Sequence, residues 1–212
     1  MVESEKILIK NKEIKLEAEY FQSKTSSLIP IVLICHPHPQ FGGNMYNNVV
    51  SAVFELLKNN HISTLRFNFR GVGKSNGSHT SGEGELSDVK ACIDFLINQK
   101  GLKKIFLCGY SYGAAIGCSA VNYSDSIIGY CAISFPWDFI GIKYKQLTQT
   151  EKPKLFIQGD RDTIADYSRF NHHFDFYLNP KKYVIIEGAD HFYWGYEDRA
   201  ANIMLDYYNS II

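Results

Sequence analysis

The sequence predicts an α/β fold built on a mostly parallel sheet with helices on both faces, and three observations lead to this class. Segments with strand composition alternate with segments of helical periodicity along most of the 212 residues. Some strand segments, such as 30–35, are apolar throughout, as is typical of parallel strands covered on both faces. The third observation is a strand that runs into Gly109-Tyr-Ser-Tyr-Gly113 and then into small residues that suit a tightly packed helix. We expect one domain over residues 1–212.

The chain opens with a predicted hairpin. Residues 7–9 form a short apolar run, and residues 14–20 alternate apolar with polar side chains, which is the period of a strand with one solvated face. Asn11 and Lys12 supply the turn between the two strands. The next strand, 30–35, ends in a loop over 36–43 that is rich in proline and glycine.

Right-handed crossovers are expected to connect the parallel strands. Apolar stripes at helical spacing predict helices near 46–59 and over 83–100, and both stripes are assigned to the core. A strand at 63–69 lies between them, followed by a glycine-rich loop over 71–77. The remaining expected elements are, in order, a strand at 105–108, the helix after Ser111, a strand at 127–134, an irregular connection over 135–152, a strand at 155–158, a helix near 166–178, a strand at 183–186 and a closing helix at about 197–209.

The turn from Gly109 to Gly113 has a chemical interpretation. Its apex residue must adopt a strained backbone conformation, and strand and helix approach so closely that side chains at both outer positions would collide. Glycine at 109 and 113 removes these collisions, and Ser111 is pushed out of the sheet as a candidate nucleophile. The N–H of Tyr112 then lies at the start of a helix, where developing negative charge is stabilised.

A serine nucleophile needs a histidine to accept its proton and a carboxylate to orient that histidine. Candidates follow two later strands, at the sheet edge where Ser111 is expected: Asp160 and Asp162 follow one strand and His191 follows the next. The chain order serine, aspartate, histidine is the one used by hydrolases with a nucleophile elbow. The alternative is that the aspartates are turn residues and His191 is an ordinary loop histidine.

With these motifs the chain resembles α/β-hydrolase fold serine hydrolases over nearly its whole length. Gly109-Tyr-Ser-Tyr-Gly113 matches the elbow, Gly159-Asp-Arg-Asp162 the acid loop and Ala189-Asp-His191-Phe the histidine loop. Two further loops, His36-Pro-His-Pro-Gln-Phe-Gly-Gly43 and Phe69-Arg-Gly-Val-Gly-Lys-Ser-Asn-Gly77, are similar to those of small capless bacterial hydrolases related to the dienelactone hydrolases. Dienelactone hydrolases proper carry cysteine at the elbow, so Ser111 and the resemblance together imply ester hydrolysis rather than lactone specificity.

The resemblance also implies that the acid is the carboxylate three residues after the glycine of its loop, which is Asp162. Asp160 and Asp138 remain alternatives, because Asp160 is two residues away and Asp138 follows the preceding strand, near a position that some hydrolases use. The expected catalytic residues are therefore Ser111, Asp162 and His191.

Two N–H donors are needed to hold the oxyanion of a tetrahedral intermediate. Tyr112, which follows the nucleophile, supplies one. The second is expected in the loop after the first apolar strand, where Pro37 and Pro39 lack an N–H, which leaves His38 as the nearest donor beyond His36. His36 and His38 could also be a metal pair, but no third ligand with supporting spacing is evident, so we expect no metal and no cofactor.

Composition argues against several other classes. Lys plus Arg equal Asp plus Glu at 22 each, so nothing favours a nucleic acid or an anionic membrane as partner. Gly73-Lys-Ser75 resembles the end of a phosphate-binding loop, but that motif requires glycine where the chain has Asn68.

The N-terminus is charged and the longest apolar run, Leu28 to Cys35, is too short to span a bilayer, so we expect a cytoplasmic protein. Five cysteines without C-x-x-C spacing are expected to be buried free thiols.

The length of one connection predicts how open the site is. Only about 18 residues, 135–152, separate two of the strands, which is too few for a substantial cap. We therefore expect an open site bordered by aromatic residues such as Phe41, Phe135, Trp137 and Trp194. A small to medium carboxylester is the expected substrate, and the alternatives are a thioesterase, a small peptide or amide hydrolase, or a non-catalytic binding protein on the same fold. A homodimer is the alternative to an open site, because two copies could roof one another.

Overall fold

The computed structural model of the protein describes residues 3–24 and 29–212. Met1, Val2 and Leu28, which enter the predictions for the N-terminus and for the longest apolar run, lie outside the described residues. The strands of the described ranges are β1 (Glu5–Asn11), β2 (Ile14–Phe21), β3 (Ile31–Cys35), β4 (Thr64–Phe67), β5 (Ile105–Tyr110), β6 (Ile127–Ile133), β7 (Lys154–Gly159) and β8 (Lys181–Ile186).

These eight strands form one sheet with the order β1-β2-β4-β3-β5-β6-β7-β8. β1 and β2 make the predicted hairpin, and β2 also pairs antiparallel with β4. From β4 to β8 all neighbouring strands are parallel. The predicted fold class, an α/β fold with a mostly parallel sheet, is confirmed.

The helices connect the strands and cover both faces of the sheet. They are α1 (Asn48–Asn59), α2 (Glu83–Asp94), α3 (Tyr112–Cys118), α4 (Trp137–Ile140), α5 (Ile142–Leu147), α6 (Phe170–Asp175) and α7 (Glu197–Asn209). α2 continues as a π-helical turn over Phe95–Gln99, so the predicted helical segment over 83–100 is confirmed in extent. None of the helices in the described ranges has both the length and the apolar character needed to cross a membrane.

The continuous apolar run of β3 is explained by two cores, one on each face of the sheet. Ile31 and Leu33 belong to the core under α2 and α3, whereas Val32 and Ile34 belong to the core under α1 and α7. Because side chains alternate across a strand, a strand covered on both faces must be apolar at every position. The five cysteines are all buried and unpaired, as predicted.

Two predicted elements differ from the structure. The connection over 135–152 is not irregular: it contains α4 and α5, separated by Gly141 with φ 84°. Helices of four and six residues are too short to show a helical period in the sequence. The helix expected near 166–178 is reduced to α6 and a preceding 3₁₀ turn over Tyr167–Arg169. No cap is built from 135–152, as expected from its length.

Candidate active site

Ser111 lies at the apex of the turn between β5 and α3. Its backbone has φ 55° and ψ −118°, a strained conformation that L-residues rarely adopt. Both flanking glycines are required by close approach: a Cβ at Gly109 would collide with the carbonyl oxygen of Gly113, and a Cβ at Gly113 with that of Cys35. The physical reason given for this motif from the sequence therefore holds in the structure.

The structure brings Ser111, His191 and Asp162 together from three loops at one edge of the sheet. The Oγ of Ser111 lies 2.8 Å from Nε2 of His191. The other ring nitrogen, Nδ1, lies 2.8 Å from Oδ2 and 3.0 Å from Oδ1 of Asp162. With Nδ1–H donating to the carboxylate, Nε2 carries the lone pair that can accept the serine proton.

The carboxylate of Asp162 is held in its ionised form. The side chain is buried, and its Oδ1 accepts the N–H groups of Ile164 at 2.9 Å and Ala165 at 2.8 Å. Burial alone raises the pKa of Asp162, but the hydrogen bond and charge of His191, together with other hydrogen bonds, outweigh it and leave the pKa below its ordinary value. A charged, fixed carboxylate is what orientation of a histidine requires.

The two alternative acids have other partners. Oδ1 of Asp160 accepts the N–H of Gly188 at 2.7 Å, so this side chain braces the backbone of the histidine loop. The carboxylate of Asp138 pairs with the guanidinium of Arg169 at 2.8 Å and with Nε2 of His173 at 3.1 Å. The geometry thus places Asp162, and neither alternative, against Nδ1 of His191.

Tyr110 contacts the histidine loop, and this contact was not predicted from the sequence. Its phenol donates a hydrogen bond of 2.5 Å to the backbone carbonyl of His191. Tyr110 occupies a variable position of the elbow motif, and no sequence pattern indicates that its side chain reaches a loop 81 residues away. It ties the strand that carries the nucleophile to the loop that carries the histidine.

His38 and Tyr112, the two predicted oxyanion donors, line the same cavity as Ser111. The two rings contact each other with centroids 4.6 Å apart. Nδ1 of His38 accepts the N–H of Gln40 at 3.2 Å, which closes the 3₁₀ turn over Pro39–Phe41. Burial, together with the neighbouring His79, lowers the pKa of His38.

His36 has a structural role under this loop. The ring is buried; Nδ1–H donates to the carbonyl of Pro37 at 2.6 Å, and Nε2 accepts the N–H of Phe69 at 3.0 Å. Burial lowers the pKa of His36 to about 4, so the ring is neutral near pH 7. Both nitrogens are thus occupied by backbone groups. Among the described residues, no group of three His, Cys, Asp or Glu side chains converges as metal ligands would.

The loop over 71–77 is filled by a carboxylate of the chain itself. Oε2 of Glu17 accepts the N–H of Lys74 and the side-chain amide of Asn68, both at 2.8 Å. Ser75 donates to the carbonyl of Asn68 at 2.7 Å. The side chain of Glu17 already occupies these donors, so the contacts agree with the failed match to a phosphate-binding loop.

A cavity of about 450 Å³ opens over Ser111 and His191. A second depression, of about 550 Å³, lies between β8 and α7 and contains none of the candidate catalytic groups. The first cavity also includes Tyr110, Tyr112 and His38, and its apolar walls are formed by Phe41, Pro136, Phe139, Ile140, Ile164 and Phe192.

Of the four aromatic residues expected at the rim, only Phe41 lines this cavity. Phe135 and Trp137 are buried at 1% and 5% exposure, stacked on each other in the core, which corrects the prediction for both. Trp194 is exposed but does not line the cavity walls. Phe139, Ile164 and Phe192 supply the exposed apolar rim instead.

Comparison with known proteins gives consistent matches. The family described as alpha/beta hydrolase fold matches residues 30–132, a stretch that includes the Ser111 elbow. An uncharacterized protein of Rickettsia prowazekii is 34% identical in an alignment 186 residues long, which covers 84% of this chain and 78% of that protein. The structure of an alpha-beta serine hydrolase homologue from Coxiella burnetii is 30% identical and has a TM-score of 0.85, covering 95% of this chain and 96% of that one. A serine hydrolase without lid from Xanthomonas campestris, at 24% identity, shares the fold with a TM-score of 0.83 over 99% and 95% of the two chains.

Proposed function

The chain belongs to the alpha/beta hydrolase fold family, and we propose that it is a serine hydrolase that cleaves small to medium carboxylesters. The observation that carries the proposal is the line of contacts from Ser111 through His191 to Asp162, with 2.8 Å at each step. Five unpaired, buried cysteines support a reducing compartment such as the cytoplasm.

The proposed reaction proceeds through an acyl-enzyme. Ser111 Oγ attacks the ester carbonyl while Nε2 of His191 takes the hydroxyl proton, and Asp162 stabilises the imidazolium that forms. The tetrahedral oxyanion accepts hydrogen bonds from the backbone N–H groups of Tyr112 and His38. When the intermediate collapses, His191 gives its proton to the departing alkoxide. A water molecule, deprotonated by His191, then attacks the acyl group and releases the acid.

The cavity supports an uncharged ester as substrate. Its walls are mostly apolar side chains, and among residues 3–24 and 29–212 no Lys, Arg, Asp or Glu side chain lines it. An apolar cavity with a few polar groups around the nucleophile suits a small ester whose carbonyl is the main polar group. A thioester presents a similar carbonyl, so it is the second candidate, to be separated from the first by rates on matched acyl groups.

Covalent labelling tests the proposal. A fluorophosphonate probe should modify the wild type at Ser111 and should not modify Ser111→Ala. Ser119→Ala is the matched control, because Ser119 is a buried serine at the far end of α3 and should leave labelling unchanged. Labelling that persists in Ser111→Ala, or ester hydrolysis that continues in that variant at the wild-type rate, would exclude Ser111 as the nucleophile.

A further inference from the structure

Two exposed phenylalanine rings that line the cavity pack edge to face on each other. Phe41 comes from the 3₁₀ turn after β3, and Phe139 comes from α4 after β6. Their centroids are 6.4 Å apart with an interplanar angle of 67°, yet the two residues are 76% and 64% exposed. Large apolar side chains that remain exposed beside a cavity are typical of a ligand-binding site.

The chemistry of the cavity restricts what these rings can bind. Besides the hydroxyl of Ser111, its polar side chains are those of His38, His191, Asn47 and two tyrosines, and none of the lining residues is Lys, Arg, Asp or Glu. A carboxylate or ammonium group of a substrate would therefore lose water without gaining an ionic partner. The site favours a neutral ligand.

We propose that Phe41 and Phe139 form an aromatic clamp that selects esters carrying an uncharged aromatic ring; this proposal rests on Ser111 being the nucleophile. Aromatic rings prefer edge-to-face or offset contacts with centroids roughly 4.5–7 Å apart. The two rings are 6.4 Å apart, so a substrate ring that rests on the pair with its centroid about 5 Å from each would meet this condition with both.

Both arms of the clamp are anchored. Asp138, the neighbour of Phe139, is held by Arg169 and His173, which fixes α4 at the cavity wall. The ring of Phe41 packs on the ring of His38 with centroids 4.7 Å apart. The same loop is closed by the N–H groups of Phe41 and Gly43, which donate to the carbonyl of His38 at 3.1 and 3.0 Å.

The packing of Phe41 on His38 connects the clamp to the proposed reaction. Phe41 and His38 share one loop, and the N–H of His38 is the proposed second oxyanion donor. A ring bound against Phe41 restrains the loop in the conformation that the oxyanion requires. An aromatic substrate should therefore have a higher kcat as well as a lower KM than an aliphatic one.

Four ethyl esters with a common leaving group test the clamp: 3-phenylpropanoate, 3-cyclohexylpropanoate, 3-(4-carboxyphenyl)propanoate and butanoate. With purified wild-type protein we expect kcat/KM for the phenyl ester to exceed that for the cyclohexyl ester by about fivefold, the usual size of an aromatic pair preference. The carboxyphenyl ester should be slower than the phenyl ester by at least about tenfold, because its charge has no partner.

The variants Phe41→Leu and Phe139→Leu keep an apolar side chain and remove the ring. Each should bring the phenyl to cyclohexyl ratio close to one, whereas Trp194→Leu, which removes an exposed ring outside the cavity, should leave the ratio as in the wild type. Equal rates for the two esters in the wild type, or a ratio that survives both clamp variants, would overturn the clamp.

A binding measurement separates failure of the clamp from failure of the serine mechanism. Calorimetry on Ser111→Ala should show that N-ethyl-3-phenylpropanamide binds about fivefold more tightly than N-ethyl-3-cyclohexylpropanamide. If no ester is hydrolysed but this preference is found, the clamp stands and the proposed reaction fails. If ethyl butanoate is hydrolysed through Ser111 but the two amides bind equally, the reaction stands and the clamp is wrong.

Discussion

The phenol of Tyr110, the residue that directly precedes the proposed nucleophile, donates a 2.5 Å hydrogen bond to the backbone carbonyl of His191. Both groups are buried, and the bond joins the end of β5 to the loop after β8. The position of the His191 imidazole relative to Ser111 therefore depends on the side chain of Tyr110, which takes no direct part in the proposed proton transfer. Tyr110 is a positioning residue in this arrangement.

Replacing Tyr110 by phenylalanine should lower kcat by about fivefold, because loss of one hydrogen bond worth about 1 kcal/mol loosens the histidine loop. Steady-state kinetics on a p-nitrophenyl ester measures this. Tyr208→Phe is the matched control, since Tyr208 also donates a buried 2.5 Å bond to a backbone carbonyl, that of Pro30. Both variants should lose similar unfolding free energy. A kcat that falls equally in both would assign Tyr110 to stability alone.

The variant Asp162→Asn should fold and bind substrate but lose kcat by about 10⁴-fold, because an amide holds the imidazole in the wrong tautomer. Asp160→Asn removes an acceptor for the Gly188 N–H and should cost far less. Asp138→Asn weakens the anchor of α4, so it should reduce the preference for aromatic esters more than the rate on ethyl butanoate. If Asp160→Asn or Asp138→Asn proves the most damaging for every ester, the acid has been assigned to the wrong residue.

His36 should make the protein less stable as the pH falls from 6.5 to 4. Its pKa in the folded state is about 4, below the roughly 6.5 of an unfolded histidine, so over this range the unfolded state binds the additional proton. Above pH 6.5 the neutral ring contributes its full stabilisation. At 1.36 kcal/mol per pKa unit, about 3 kcal/mol of the unfolding free energy is lost by pH 4.

Urea unfolding of the wild type and His36→Gln at several pH values measures this effect. Glutamine offers an amide donor and acceptor for the Pro37 carbonyl and the Phe69 N–H but does not titrate. The unfolding free energy of the wild type minus that of the variant should fall by about 3 kcal/mol between pH 7 and 4, whatever its value at pH 7. A difference that stays constant from pH 7 to 4 would contradict the neutral, buried state of His36.

Activity should rise with acyl length only over short chains. Each methylene that enters the cavity contributes about 0.8 kcal/mol, or roughly fourfold in kcat/KM. The gain should end where the acyl chain passes beyond the apolar walls beside Ser111, because α4 contributes to one wall but builds no roof. A p-nitrophenyl ester series below the micelle concentration measures this. A steep rise that continues to long acyl chains would show that more apolar surface is available than a single chain offers.

What the sequence determined is local. Alternation of side chains identifies β2 as a strand, but the prediction of one solvated face is wrong, because Glu17 and Glu19 are buried against Asn68 and Arg66. The unbroken apolar run shows β3 as covered on both faces, and glycine at 109 and 113 shows where strand and helix approach. Each of these features follows from backbone geometry within a few residues, so it is visible in the order of residues alone. The loops that carry Asp162 and His191 are also visible in the sequence, because they directly follow the apolar runs of β7 and β8.

The tertiary structure decided which side chains meet. Asp160 and Asp162 are two residues apart and equal in chemistry, and only the path of their loop turns Asp162 toward His191 and Asp160 toward the Gly188 N–H. Phe135 and Phe139 are likewise both aromatic residues of one short connection. Phe135, which precedes α4, packs into the core, whereas Phe139, within α4, contacts Phe41 at the cavity wall. Contacts between loops far apart in the chain depend on such directions, which no local pattern encodes.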